Sequence, residues 1–158
     1  MNLNDKYRTL FNTYSINTPL RVAHFMAQIE HESGGFKFLT ELGGKKYFEK
    51  YEGRKDLGNT TAGDGYKFRG RGYIQVTGRA NYTALSKDSK IDFLNNPELL
   101  SQEANAMISA LWYWNKRKLN TLADKDNILG ITKKINGGTN GLEDRKRLLI
   151  KWKSILKI

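Results

Sequence analysis

A chain of 158 residues is long enough to bury about two thirds of its unfolded surface, and one domain over residues 1–158 is the expected organisation. It has no cysteine, which excludes disulfides, a thiolate zinc site and a cysteine nucleophile, and fits folding in a reducing cytoplasm. Its 27 basic and 16 acidic side chains give a net charge of +11, concentrated in residues 116–158; this suggests a polyanionic partner (nucleic acid, anionic membrane or cell-wall polymer) or simply a lysine-rich solvated surface.

Met1 to Ser15 alternates polar and apolar residues without a long apolar core, so no signal peptide is expected, and no apolar run is long enough to span a bilayer. Leu3 to Tyr14 can form a short helix. A second starts with Thr18 as N-cap and Pro19 at the first helical position, and stops at Gly34-Gly35. At about 100° per residue, Arg21, His24, Gln28, His31 and Glu32 share one narrow stripe, while Val22, Phe25, Met26 and Ile29 fill the broader face. That stripe faces either water or a cleft. Glu30 lies opposite it, and the pattern leaves open which glutamate is chemical and which structural.

Residues 36–66 have weak periodicity and many Gly, Lys and aromatic residues, which reads as a long, ordered, irregular region; such loops in compact domains are usually functional or disordered. Tyr73 to Val76 fits a short strand and Arg79 to Leu85 a short helix. Asn96-Pro97 opens the clearest helix, with Leu100, Ala104, Met107, Ile108, Leu111 and Trp112 on one face, ending near Leu119. Asp126 to Ile135 and Leu142 to Leu156 follow, separated by Asn136-Gly137-Gly138. The last helix stacks Leu148, Leu149, Trp152, Ile155 and Leu156 on one face, with Lys146, Arg147, Lys151, Lys153 and Lys157 elsewhere. It either docks on the core or lies on an anionic envelope surface. The fold class is mainly α, with at most a small β element.

Gly70, Gly72 and Gly78 allow a close backbone approach to a ligand or a neighbouring helix. A dinucleotide fingerprint fails because Gln75 stands where its third glycine belongs, and a phosphate-binding Walker loop fails for want of Gly-Lys-Ser/Thr. Gln75, Thr77 and Asn81 offer neutral donors and acceptors suited to sugar hydroxyls and acetamido groups, or equally to turns and caps. His24 and His31 share a helix face without a third ligand, so no metal is expected. Tyr66, Phe68, Arg69, Arg71 and Tyr73 interleave aromatic and basic residues as a nucleic-acid surface would.

Five strings, in order, resemble the active-site frame of family 19 glycoside hydrolases, the chitinases and related phage endolysins. They are Ala27-Gln28 with His31-Glu32-Ser33-Gly34-Gly35-Phe36; Tyr51 to Asn59; Gly63-Asp64-Gly65 with Phe68 to Gly72; Ile74 to Tyr82; and Ile135-Asn136-Gly137-Gly138 with Asp144-Arg145. The resemblance implies a lysozyme-like helical domain and inverting hydrolysis of a β-1,4 bond by two glutamates, without a cofactor. Glu32 maps to the general acid. Glu41, nine positions on, maps to the base, with Glu52 as a weaker candidate. Gln75, Thr77, Asn81, Asn136 and Arg145 map to residues that position sugar and water, and His31 and Arg71 are weaker site candidates. Thr77 replaces the serine common in chitinases, and Ala80 stands where plant members carry an aromatic.

The wording of Gly70 to Tyr82 is more similar to phage endolysins than to plant chitinases. The expected partner is therefore the glycan strands of peptidoglycan, with chitin the alternative and nucleic acid not expected. A monomer is expected, made in the cytoplasm and acting on the wall after release through a membrane lesion made by another protein.

Overall fold

The computed structural model describes residues 2–158. Helices dominate it. Among the described residues β pairing is confined to two isolated antiparallel bridges, Thr40 with Arg71 and Arg71 with Val76. No described helix is long and apolar enough to cross a membrane. The chain gathers into two compact units, one of residues up to Phe36 with Leu111–Ile158, the other Lys37–Ala110.

The first unit begins with α1 (Leu3–Lys6) and α2 (Arg8–Thr13). The single helix expected over Leu3–Tyr14 breaks at Tyr7, whose ψ of 26° leaves the helical region. Helix α3 (Pro19–Glu32) starts as its sequence requires: the Thr18 side chain accepts the Arg21 N–H at 3.2 Å, and Pro19 needs no donor there. It ends where Gly34, Gly35 and Phe36 adopt left-handed φ and the Gly35 N–H donates to Glu30 O at 2.8 Å. Phe25 sits at the centre of the unit, edge-on to Phe11 at 5.2 Å and to Trp114 at 5.4 Å.

The polar stripe of α3 is not a solvated face. His24 and Gln28 are fully buried. Its partners come from α7 (Asn120–Asp124), α8 (Ile128–Asn136), α9 (Leu142–Ile155) and the connections between them. Arg21 forks onto both oxygens of Asp124 at 2.8 Å, His24 Nε2 meets Asp126 Oδ1 at 2.6 Å, and Gln28 donates to Thr132 Oγ1 at 3.3 Å. Burying these groups without partners would cost on the order of 1–3 kcal/mol each, so the stripe reads as a seam between helices. Glu30 accepts from Lys151 Nζ at 2.7 Å and Trp152 Nε1 at 2.8 Å, which makes it a structural carboxylate tying α3 to α9.

Helix α9 docks on this core, but through fewer residues than its apolar face suggests. Leu148, Leu149 and Trp152 are buried, whereas Ile155 is 43% exposed and Ile150 69%. Neither α7 nor the left-handed turn at Lys118 before it was expected from the sequence, which ran the preceding helix on to Leu119.

The second unit is built on Phe48, Phe68, Tyr82, Leu85, Phe93, Leu100 and Met107, all fully buried. Its irregular region contains 3₁₀ turns at Tyr47–Tyr51 and Lys55–Leu57 and the short α4 (Asp64–Lys67); α5 (Arg79–Ser89) runs four residues past its expected end. Tyr73–Val76 is not a strand. Gly72 and Gln75 take φ of +84° and +56°, folding Arg71 to Val76 into a closed loop in which Arg71 and Val76 exchange backbone hydrogen bonds at 3.1 and 2.9 Å. The helix expected from Asn96-Pro97 is divided: Pro97–Ser101 is a 3₁₀ turn, Gln102 is extended, and α6 (Glu103–Lys116) starts afresh. The break shifts the helical phase, so Ala104 is exposed and Ile108 half-buried, while Ala106, Met107, Ala110, Leu111, Trp112 and Trp114 turn inward.

Buried groups fix the glycine-rich segment. Arg71 donates from Nη1 to Lys67 O at 2.8 Å and to the Tyr82 hydroxyl at 2.9 Å, and that hydroxyl donates to Arg69 O at 2.6 Å. Burial pushes the Tyr82 phenol up to about 12 against the pull of Arg71. Arg79 forks onto Asp64 at 2.8 Å, holding that carboxyl below its ordinary range. Of the interleaved basic and aromatic run, Phe68, Arg71 and Tyr73 are buried, while Tyr66 and Arg69 stay partly exposed.

His24 makes this core sensitive to acid. Burial lowers its imidazole below the ordinary 6.5, opposed by Asp126, and its Nδ1 is buried without a hydrogen-bond partner among the described residues. The unfolded chain therefore takes up a proton near 6.5 that the folded chain refuses, so this contribution to stability is present above that pH and is lost as pH falls below it. Melting temperatures measured from pH 7 to 5 should fall more steeply for the unaltered protein than for His24→Gln, which starts lower but lacks the titration. Equal slopes would remove His24 as the cause.

Candidate active site

In the first unit one buried cation organises the expected residues. Arg145, 1% exposed, lies in the first turns of α9. Its Nη1 donates to Gln28 Oε1 at 2.5 Å, Nη2 to Glu32 Oε1 at 2.7 Å and Nε to Asn140 O at 3.2 Å. Gln28 is thus held from both ends, by Arg145 and Thr132. Glu32 keeps its side chain 27% exposed, and its Oε2 accepts no hydrogen bond among the described residues. That leaves one carboxyl oxygen available to a ligand.

His31, the residue before Glu32, is held as well. His31 Nδ1 meets Asp144 Oδ2 at 2.7 Å, and the ring packs so closely on the Cα of Gly141 that a side chain there would collide with it. Asp144 also accepts from Arg147, and together His31 and Arg147 hold its carboxyl below the ordinary range. The Tyr113 phenol is pushed up by burial, with the Glu32 charge adding to the shift and Arg117 opposing it. Asn136 is exposed at the end of α8; its Oδ1 accepts the Asn140 N–H at 3.2 Å, and Asn140 in turn holds Arg145.

In the second unit, Glu41, Gln75 and Thr77 converge on Gly70. The Gly70 N–H donates to Glu41 Oε1 at 3.2 Å, and the Tyr51 hydroxyl donates to Glu41 Oε2 at 2.9 Å. A β-carbon on Gly70 would lie 2.8 Å from Gln75 Oε1, 3.0 Å from Glu41 Oε1 and 3.3 Å from Thr77 Oγ1. Gln75 is braced by donating to Gly72 O at 2.9 Å, and Thr77 by donating to Gln75 O at 3.0 Å. Asn81, one turn into α5, donates to Thr77 O at 2.9 Å and is exposed.

Glu52 is placed elsewhere. It accepts backbone N–H groups from Gly63 at 3.1 Å and Gly65 at 3.4 Å, clamping the start of α4. Arg71 likewise belongs to the buried scaffold. Sequence reasoning read Gly70 only as a point of close backbone approach and assigned no site role to Gln28, Tyr51, Asp144 or Tyr113. Gln28, Tyr51, Gly70 and Asp144 stand inside the quoted strings, whereas nothing in the sequence pointed to Tyr113. No group of three or more His, Cys, Asp or Glu able to hold a metal occurs among the described residues.

A family model described as chitinase class I matches residues 15–138. A Haemophilus influenzae protein described as containing a glycosyl hydrolase family 19 domain is 35% identical over 158 residues, covering 82% of this chain and 76% of that one. An endochitinase of Arabidopsis thaliana is 31% identical over 120 residues, covering 74% of this chain but 39% of its own length. The crystal structure of chitinase C from Streptomyces griseus superposes with a TM-score of 0.73 at 25% identity, covering 88% of this chain and 60% of that one. This chain thus spans well under half of the plant enzyme and three fifths of the Streptomyces one.

The Gly70 arrangement can be tested directly. Gly70→Ala keeps an allowed backbone and meets only the ends of flexible side chains, so stability should change by no more than about 1 kcal/mol. The methyl group displaces Glu41, Gln75 and Thr77 together, and glycan hydrolysis should fall about a hundredfold, as misplacement near 1 Å can cause. Full activity in a stable Gly70→Ala protein would disconnect this cluster from the chemistry.

Proposed function

The chain belongs to glycoside hydrolase family 19, and from that premise we propose that it hydrolyses β-1,4 bonds of peptidoglycan strands by a single inverting displacement. Glu32 protonates the leaving glycosidic oxygen through its unengaged Oε2. Glu41 removes a proton from the attacking water, and Thr77 supplies a hydroxyl for that water. Gln75, Asn81 and Asn136 provide neutral hydrogen-bonding groups for hydroxyl and acetamido substituents. Arg145 fixes the Glu32 carboxylate and serves as a positioning residue. No step requires a metal or cofactor.

The observation that carries the assignment is the convergence of Glu41, Gln75 and Thr77 on Gly70, while Glu52 is consumed by the backbone of Gly63 and Gly65. For the substrate, the net charge of +11 supports a polyanionic wall. The named relatives favour the second reading, since those of Arabidopsis and Streptomyces are called chitinases. In the first reading the protein is a monomeric endolysin that meets the wall after release from the cytoplasm.

Reducing ends released from purified peptidoglycan and from β-1,4-N-acetylglucosamine oligomers decide between these substrates. Activity confined to the oligomers would make the protein a chitinase. In the same assay Glu32→Gln and Glu41→Gln should each lose at least about a hundredfold, the usual scale for a missing acid or base. Glu52→Gln should retain most activity. Loss with Glu52→Gln but not with Glu41→Gln would reverse the assignment of the base.

A further inference from the structure

The irregular region holds charged groups that this chemistry leaves unused. Phe48, fully buried, is ringed by three tyrosines: Tyr47 edge-on at 5.0 Å, Tyr51 stacked at 6.2 Å and Tyr66 at 5.8 Å. Lys50 Nζ lies 3.8 Å from the centroid of Tyr47 and 5.1 Å from that of Tyr51. The ring faces hold an ammonium in place without cancelling its charge. Arg54, also near Tyr51, is by contrast neutralised by a fork onto Asp56 at 2.5 and 3.1 Å. Lys50 is exposed, hydrogen-bonds the Tyr47 side chain, and has no carboxylate at ion-pair distance among the described residues.

Its position gives that unpaired charge meaning. Tyr51, one of the two rings beneath it, donates its hydroxyl to Glu41 at 2.9 Å. An exposed cation, held by the Tyr47 hydroxyl and the two rings and with no carboxylate at ion-pair distance among the described residues, therefore stands one side chain away from the glutamate assigned as base, whose charge also acts on it. A neutral sugar polymer offers it nothing that water does not, whereas a sugar carrying a carboxylate completes the pair with a charge-assisted hydrogen bond.

We propose that Lys50, held over Tyr47 and Tyr51 beside Glu41, takes a carboxylate borne by the substrate and selects acidic glycan strands over neutral chitin. The inference rests on the hydrolase reading above. The carboxylate is either the lactyl group on the sugar or one on the attached peptide.

The test compares the unaltered protein with Lys50→Ala, Lys50→Glu and Lys50→Arg on intact peptidoglycan, on strands stripped of peptide, and on N-acetylglucosamine oligomers. An exposed pair contributes modestly, so Lys50→Ala should lower kcat/KM on the acidic substrate about fivefold, and Lys50→Glu about twentyfold. Lys50→Arg should retain activity, the neutral oligomers should change less than about twofold, and the differences should shrink in about 0.5 M salt. A deficit confined to stripped strands assigns the lactyl carboxylate; one confined to intact peptidoglycan assigns the peptide. Equal losses on acidic and neutral substrates, or none on either, overturn the proposal while leaving the hydrolase reading intact. So does a Lys50→Ala protein that loses only retention on single-stranded DNA. An unaltered protein that cuts only the neutral oligomers removes both the peptidoglycan reading and this inference.

Discussion

A guanidinium buried among helices must find acceptors for its donors, and the first unit is arranged around that requirement. Arg145 projects from α9 onto α3, where Gln28 and Glu32 accept, while Asn140 O takes the third bond. Removing one member of such a set leaves a buried charge or polar group uncompensated, which typically costs several kcal/mol. The same contact therefore joins two helices whose residues lie 113 and 117 positions apart in sequence and leaves Glu32 with a single free oxygen. Structure and proposed chemistry are linked at that atom pair.

The second unit solves a related problem with backbone. Glu41 is oriented by the Gly70 N–H and the Tyr51 hydroxyl, and the absent side chain of Gly70 is what lets Gln75 and Thr77 come so near. The loop carrying Gln75 is closed by reciprocal bonds between Arg71 and Val76, and it is anchored below by the buried contact of Arg71 with Tyr82. Such over-determination keeps Gln75 in a left-handed conformation that a free chain would rarely adopt.

Much of the helical plan was legible because it is local. Thr18-Pro19 and Gly34-Gly35 bound α3 by capping chemistry, and Gly137 ends α8 within the expected Asn136-Gly137-Gly138 break, although α8 starts at Ile128 behind an Asn127 cap and not at Asp126. The misreadings share a physical cause. The stripe from Arg21 to Glu32 looked like a surface because its partners lie more than a hundred residues away and have no sequence signal of their own. Tyr73–Val76 alternates like a strand, yet Gly72 and Gln75 bend it into a loop closed by its own Arg71–Val76 bonds and tied from a distant segment by the Gly72 N–H donating to Leu39 O, none of which alternation signals. The division of the Asn96–Leu119 segment rests on one extended residue, Gln102, which no periodicity predicts. For the site, sequence similarity named Glu41 and left Glu52 in reserve. What separates them is where the N–H groups of Gly63, Gly65 and Gly70 point, a fact only coordinates contain.

The central claim, that Glu32 and Glu41 act as acid and base in a single displacement, predicts the stereochemistry of the first product formed. Proton NMR of N-acetylglucosamine oligomers or soluble peptidoglycan fragments, recorded in the first minutes of hydrolysis, reads the new anomeric centre before it equilibrates. Inversion requires the α-anomer to appear first. Initial release of the β-anomer would mean a covalent or substrate-assisted double displacement, and would contradict the account.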